Sequence, residues 1–235
     1  MARDRDREED EDDLAFLRNA LASLADRRIR LPILVTASVQ IASNVLAMAY
    51  LPTAEHPNHR PYVAIIGAAM ICYVAAAVAI QRILNASPRP AWRPDWSTWT
   101  YAIAVVTATA MAIVVDWRFA YGEKFLSLVS SEVVSTTLLV PVLPWLVAIA
   151  VARPLAWRPS PWLRQWRKWL PALLLWTLLI LVPADVAYRL GSVHLSKGSP
   201  RPDWPVLILV AVIAATRLAL GAALASTAYR RVARS

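Results

Sequence analysis

Residues 205–228 read PVLILVAVIAATRLALGAALASTA, an apolar run interrupted by a single charge, Arg217. A helix of this length rises about 1.5 Å per residue and covers a hydrocarbon core of ~30 Å with residues to spare. A soluble surface helix carries a polar stripe, and this run has none. Outward from it, further apolar blocks of similar length occupy 31–51, 62–84, 99–117, 127–152 and 170–190. The pattern predicts an all-α, polytopic helical membrane protein with six transmembrane helices. Composition agrees: the chain is 58% hydrophobic and 17% charged, whereas soluble domains are about 25% charged.

The same composition excludes several functions. One cysteine, Cys72, rules out a disulfide framework or a multi-cysteine metal centre. The three histidines form no pair at helical spacing within a block, which disfavours haem, and no cofactor is expected. Glu55, His56 and His59 share the stretch EHPNHR, but Pro57 breaks any helical ligand geometry, so no metal is expected there. Five glycines supply no phosphate-cradling loop, and neither HExxH nor a nucleophilic triad occurs. A catalytic assignment is therefore disfavoured, and no catalytic residue is named.

The net charge of +9 does not point to nucleic acid, because the bases flank apolar blocks. Summed over alternate segments, the side carrying the N-terminus holds 18 Lys and Arg against 6 opposite. The positive-inside bias then places both termini in the cytoplasm. Arginine outnumbers lysine 22 to 3 in an alanine-rich chain, a sign of GC-rich coding, so a bacterial cytoplasmic (inner) membrane is expected.

Four segments follow. Residues 1–13 are almost wholly charged and are expected to form a disordered tail. In 14–29, Leu14, Leu17, Leu21 and Leu24 repeat at three and four, with Asp12 and Asp13 placed to cap an amphipathic helix that lies in the interface or meets a partner. Residues 30–229 form the transmembrane domain, and 230–235 a basic tail. Most tryptophans fall at block ends, as headgroup anchors do. In the sharpest cluster Trp162, Trp166 and Trp169 share one helical face and Arg164, Arg167 and Lys168 the other, which predicts a short surface helix touching anionic lipid headgroups.

Charges within apolar blocks are costly and define the candidate site. Arg217 lies mid-block, and Glu132, Asp185 and Asp116 all fall in the same half of the membrane. Arg217 is expected to meet Glu132 or Asp185, either as a structural pair or as a substrate or proton-coupling site. Asp185 and Arg189 stand four apart and form a local pair. Two polar stripes, Thr36, Gln40, Ser43 and Asn44, and Ser131, Glu132, Ser135 and Thr136, should turn inward to line a cavity or join helices. Pro141, Pro144 and Pro183 should interrupt their helices beside these charges.

Arg93-Pro94-Asp95-Trp96 recurs as Arg201-Pro202-Asp203-Trp204, which an inverted repeat of three spans would explain, as would chance in a chain rich in these residues. Three functional classes stay open. The leading one is a non-enzymatic scaffold, sensor or complex subunit, with oligomerisation or a membrane partner. The others are a small-solute transporter or channel using Arg217 and Glu132, and an enzyme acting on lipid.

Overall fold

The structure, a computed structural model, describes residues 2–50, 60–119, 125–151, 164–196 and 203–233, with the backbone alone at 2–12, 108–109, 111–119, 125–128, 131, 193–194 and 196. The α-helices among them are α1 Ala2–Ser23, α2 Arg30–Ala49, α3 Arg60–Leu84, α4 Trp96–Phe119, α5 Phe125–Leu139, α6 Leu143–Ala150, α7 Leu170–Trp176, α8 Val182–Ser196 and α9 Trp204–Ala233. No strand occurs among the described residues. Five stretches are long and apolar enough to cross a membrane: Arg27–Ala49, Arg60–Leu84, Glu132–Ala150, Leu170–Ser192 and Trp204–Ala233. This is the architecture of a multi-pass helical membrane protein.

The prolines act where the sequence places them. Pro141 sits in a 3-10 turn, Val140–Val142, that joins α5 to α6, and Pro144 lies in the first turn of α6, where a missing N–H leaves no bond unmade. Before Pro183 the chain widens into a π-helical turn, Thr177–Leu181, so that α7 and α8 run on as one helical rod. A wider turn gives the proline ring room against the preceding carbonyls.

The N-terminal region differs from expectation. Helix α1 begins at Ala2 and runs through the charged stretch read as a disordered tail; Arg5 and Glu9, and Arg7 and Glu11, stand four apart in that sequence, a spacing that supports helix. Asp12 and Asp13 thus lie inside the helix rather than capping it, and α1 stops at Ser23 instead of continuing to 29. A 3-10 turn, Arg27–Ile29, follows, capped by Asp26, whose side chain accepts from the Arg28 amide. The inward face also shifts from the leucine row. Phe16 and Ala20 are fully buried, while Leu14 and Leu21 are 61% and 46% exposed. A large ring beside a small residue one turn on fits the bundle better than two leucines, and Phe16 stacks with Arg231 at the end of α9. The start of the chain and the end of its last helix are therefore neighbours.

Packing divides the bundle into two ends. At the basal end, the one that carries α1, helices are buried on every side: Ala76–Arg82 of α3, Leu146–Val151 around the end of α6 and Ala222–Tyr229 of α9. Alanine is the commonest residue in these stretches, nine of 21, and small residues let helix backbones approach closely. Trp169, Leu173 and Tyr101 fill the gaps between them. At the distal end the same helices loosen. Val63, Ile66 and Ile71 of α3 and Ile208, Leu209 and Val212 of α9 are exposed, as lipid-facing residues are.

Candidate functional site

Charged groups gather at both ends, and they are built differently. At the distal end Arg217 of α9 forms an ion pair with Asp185 of α8. Its guanidinium also lies 4.9 Å from the centre of the Tyr188 ring. One turn on, Arg189 of α8 pairs with Glu132 of α5, whose side chain is nearly buried. Asp185, Tyr188 and Arg189 meet their partners together because residues three and four apart share a helix face. Of the two carboxylates expected for Arg217, it pairs with Asp185, and Glu132 pairs with Arg189 instead. The acid and base spaced four apart on α8 thus each reach a different neighbouring helix.

The network continues through neutral groups. The Tyr188 hydroxyl donates to Gln40 Oε1 at 3.3 Å, and the Tyr73 hydroxyl donates to the same oxygen. Gln40 Nε2 donates to Asn44 Oδ1 at 3.1 Å. The stripe on α2 does turn inward, since Thr36, Gln40 and Ser43 are buried. Thr36 and Ser43 donate to carbonyls of their own helix, so Gln40 is the member that joins α2, α3 and α8. On α5, Ser135 is buried and donates to the Glu132 carbonyl, whereas Thr136 is half-buried. Asp116 and Ser131 lie on α4 and α5, with side chains outside the described residues.

The basal end holds a cluster that sequence reasoning missed. Arg82, at the end of α3, is 1% exposed. Its Nε donates to Ala150 O at 3.0 Å and its Nη1 to Pro90 O and Arg93 O at 3.1 and 2.7 Å. Its Nη2 meets Asp95 Oδ1 at 2.7 Å and Ser97 Oγ at 2.9 Å. One planar fork thus ties α3, α6, the connection 85–95 and the start of α4. Asp95 also accepts from Arg89 and from the Thr98 amide. Burial alone would raise its carboxyl, but hydrogen bonds from Ser97, Arg89 and the Thr98 amide, with the Arg82 charge, hold it well below the ordinary carboxylate range.

Asp95 is also the N-cap of α4, and Asp203 accepts from the Val206 amide at 3.4 Å at the start of α9. The recurring Arg-Pro-Asp-Trp therefore has a local use in both places: the aspartate caps, and the tryptophan that follows opens the helix. That recurrence was the available signal for Asp95. Arg82 was masked because an arginine near a span end reads as an orienting charge.

The tryptophan cluster is corrected in part. Among its described residues Arg164 is α-helical and Trp166–Lys168 forms a 3-10 turn, so the helical pattern does not run unbroken to Trp169. Trp169 is 2% exposed and belongs to the basal core, where the chain turns inward into α7. Trp166 stays exposed with Arg167 stacked over it at 5.5 Å, and Arg164, Arg167 and Lys168 are exposed as expected. Trp162, like Glu55, His56 and His59, lies outside the described residues. Compared with protein-family models, curated proteins and solved structures, the chain matches none of them.

Proposed function

We propose that the chain is a non-enzymatic integral membrane protein that works as a scaffold or subunit of a membrane assembly, with its distal ion pairs fastening the span interior. One observation carries this reading: Arg217 and Arg189, the arginines of the distal network, already engage carboxylates on adjacent helices. A transported anion would have to displace Asp185 from Arg217. The Arg217 and Arg189 side chains also keep 38% and 35% exposure at membrane depth. Polar surface facing hydrocarbon is costly, so a neighbouring span, from a second copy or another protein, is the natural cover.

In this reading α4 is a sixth span, both termini are cytoplasmic, and the membrane is a bacterial inner membrane. The docking of α1 beside the end of α9 supports an even number of crossings, since it puts the two ends of the chain on one side. Basic residues at that end support the cytoplasmic assignment.

A second reading, transport, is favoured by the continuity of Tyr73, Gln40, Tyr188, Arg217 and Asp185 through a loosely packed end. The two separate on thiol labelling of an Arg217→Cys variant in a Cys72→Ala background, in intact cells, with a small membrane-impermeant reagent. Protection in a folded protein is expected for the subunit. Rapid labelling would show water at mid-membrane and transfer the assignment to a transporter or channel.

A further inference from the structure

The connection 85–95 at the basal end carries three prolines, Pro88, Pro90 and Pro94, and is pinned from within by Arg82. Arg82 Nη1 donates to the carbonyls of Pro90 and Arg93, and the Arg93 amide closes a turn on Pro90 O at 3.3 Å. A segment whose backbone is already fixed presents its outer side chains at little further cost in entropy. Those side chains are Trp92 and Arg93, both exposed. The local charge is positive: residues 82–106 contain three arginines and one carboxylate, Asp95, which pairs with Arg82 and Arg89. Among the described residues no carboxylate pairs with Arg93.

Directly beyond the connection, Trp96, Trp99, Ile103 and Val106 of α4 repeat at three and four, and each is more than half exposed. Such a row faces hydrocarbon along its aliphatic part and the headgroup layer at its tryptophans. It leads back to Arg93. An acyl chain lying against Ile103 and Val106 would bring its phosphate past the two tryptophans to this guanidinium. We propose that Trp92, Arg93 and the row on α4 form a docking surface for an anionic phospholipid of the bilayer, with its phosphate on Arg93 and an acyl chain against Ile103 and Val106. The proposal rests on the reading of α4 as a lipid-facing span. A guanidinium fork matches phosphate in geometry and charge, and the surplus of positive charge selects an anionic headgroup over a zwitterionic one.

The test attaches a fluorophore to the row through Ile103→Cys in the full chain, in a Cys72→Ala background. The protein is reconstituted in bilayers holding a fixed fraction of phosphatidylglycerol or phosphatidylcholine brominated on the acyl chains. Brominated phosphatidylglycerol is expected to quench more strongly than brominated phosphatidylcholine at this position, and equally at a distal control, Ile208→Cys, on the exposed face of α9. Arg93→Gln is expected to lower the preference for phosphatidylglycerol about fivefold, the share of one interfacial base. It keeps the backbone carbonyl that Arg82 holds, so the connection retains its clamp. Arg164→Gln removes the same charge from another exposed basal arginine and should leave the preference in place. Equal quenching by the two lipids, or an equal loss in Arg164→Gln, overturns the proposal while α4 stands as a lipid-facing span. Absence of quenching by either lipid overturns both the proposal and that reading of α4.

Discussion

Arg82 and Arg217 are both arginines on membrane helices, each facing an aspartate, yet their surroundings differ. Arg82 is 1% exposed and donates to three backbone carbonyls, a carboxylate and two hydroxyls, all within the basal core. Arg217 keeps 38% exposure, with one carboxylate and one aromatic ring around it. A buried charge is tolerable only when its donors are satisfied in place. The basal arginine meets that condition within the fold, and the distal one leaves part of its surface to whatever lies against the bundle. Rigidity and availability are thus assigned to opposite ends of the same helices.

The sharpest way to break the comparison is Arg82→Ala, which removes one of the cations facing Asp95 and the guanidinium donors to the carbonyls of residues 90, 93 and 150. It should cost about 3–5 kcal/mol in denaturant unfolding in micelles. Arg82→Lys should recover little, because the three donors of a single ammonium nitrogen cannot reach six acceptors spread around a planar guanidinium. Next come matched insertions on α3. Ala79→Leu, in the fully buried basal run, should cost about 1–3 kcal/mol by overpacking, and Ala68→Leu, on the exposed distal face, should change stability by less than about 0.5 kcal/mol.

Partial exposure makes the distal pair weaker. Asp185→Asn should cost about 1–2 kcal/mol, and a double-mutant cycle should place the coupling of Arg217 with Asp185 well above that of Arg217 with Glu132. Equal couplings would remove the pairing described above.

Acid should act on the basal end through Asp95. Its carboxyl is lower in the folded protein than in the unfolded chain, so its contribution is complete above the ordinary carboxylate range near ~4 and is lost as pH falls below it. Asp95→Asn should flatten this part of the stability profile between neutral and acid pH. One substitution at the basal end is expected to be a gain. Ala86 has φ of 46°, in the left-handed region, and closes α3 with a Schellman pattern in which Ser87 N donates to Arg82 O at 2.9 Å and Ala86 N to Ile83 O at 3.2 Å. Ala86→Gly should stabilise the basal end by about 0.5–1 kcal/mol.

How much of this was legible depends on whether the cause is local or tertiary. Span positions follow from hydrophobic runs, and helix interruptions from Pro141 and Pro183, since both causes lie within the segment itself. The inward turn of Gln40 was also legible, because hydrocarbon rejects an amide wherever the helix packs. The partner of Arg217 was narrowed to two carboxylates and no further, because spacing along α9 carries no information on how far α8 and α5 are rotated. Arg82 escaped notice for a related reason: its oxygens come from residues 90 to 150, and backbone carbonyls leave no mark in a sequence. Phe16 displaced Leu14 and Leu21 from the inner face of α1 because the shape of the receiving surface, absent from the sequence, decided which side docks.

The π-helical turn at Thr177–Leu181 has a consequence for how the distal charges are aimed. Successive residues of a regular helix are offset by about 100° around its axis, so one extra residue in a wide turn advances everything beyond it by that angle. Asp185, Tyr188 and Arg189 all lie beyond the turn and share its phase. Shortening the turn by one residue would swing all three together, like spokes on one hub, away from α9, α2 and α5 while leaving the basal half of the rod undisturbed. The aim of the distal network is therefore a single adjustable angle, set by the length of the chain at five residues that carry no charge.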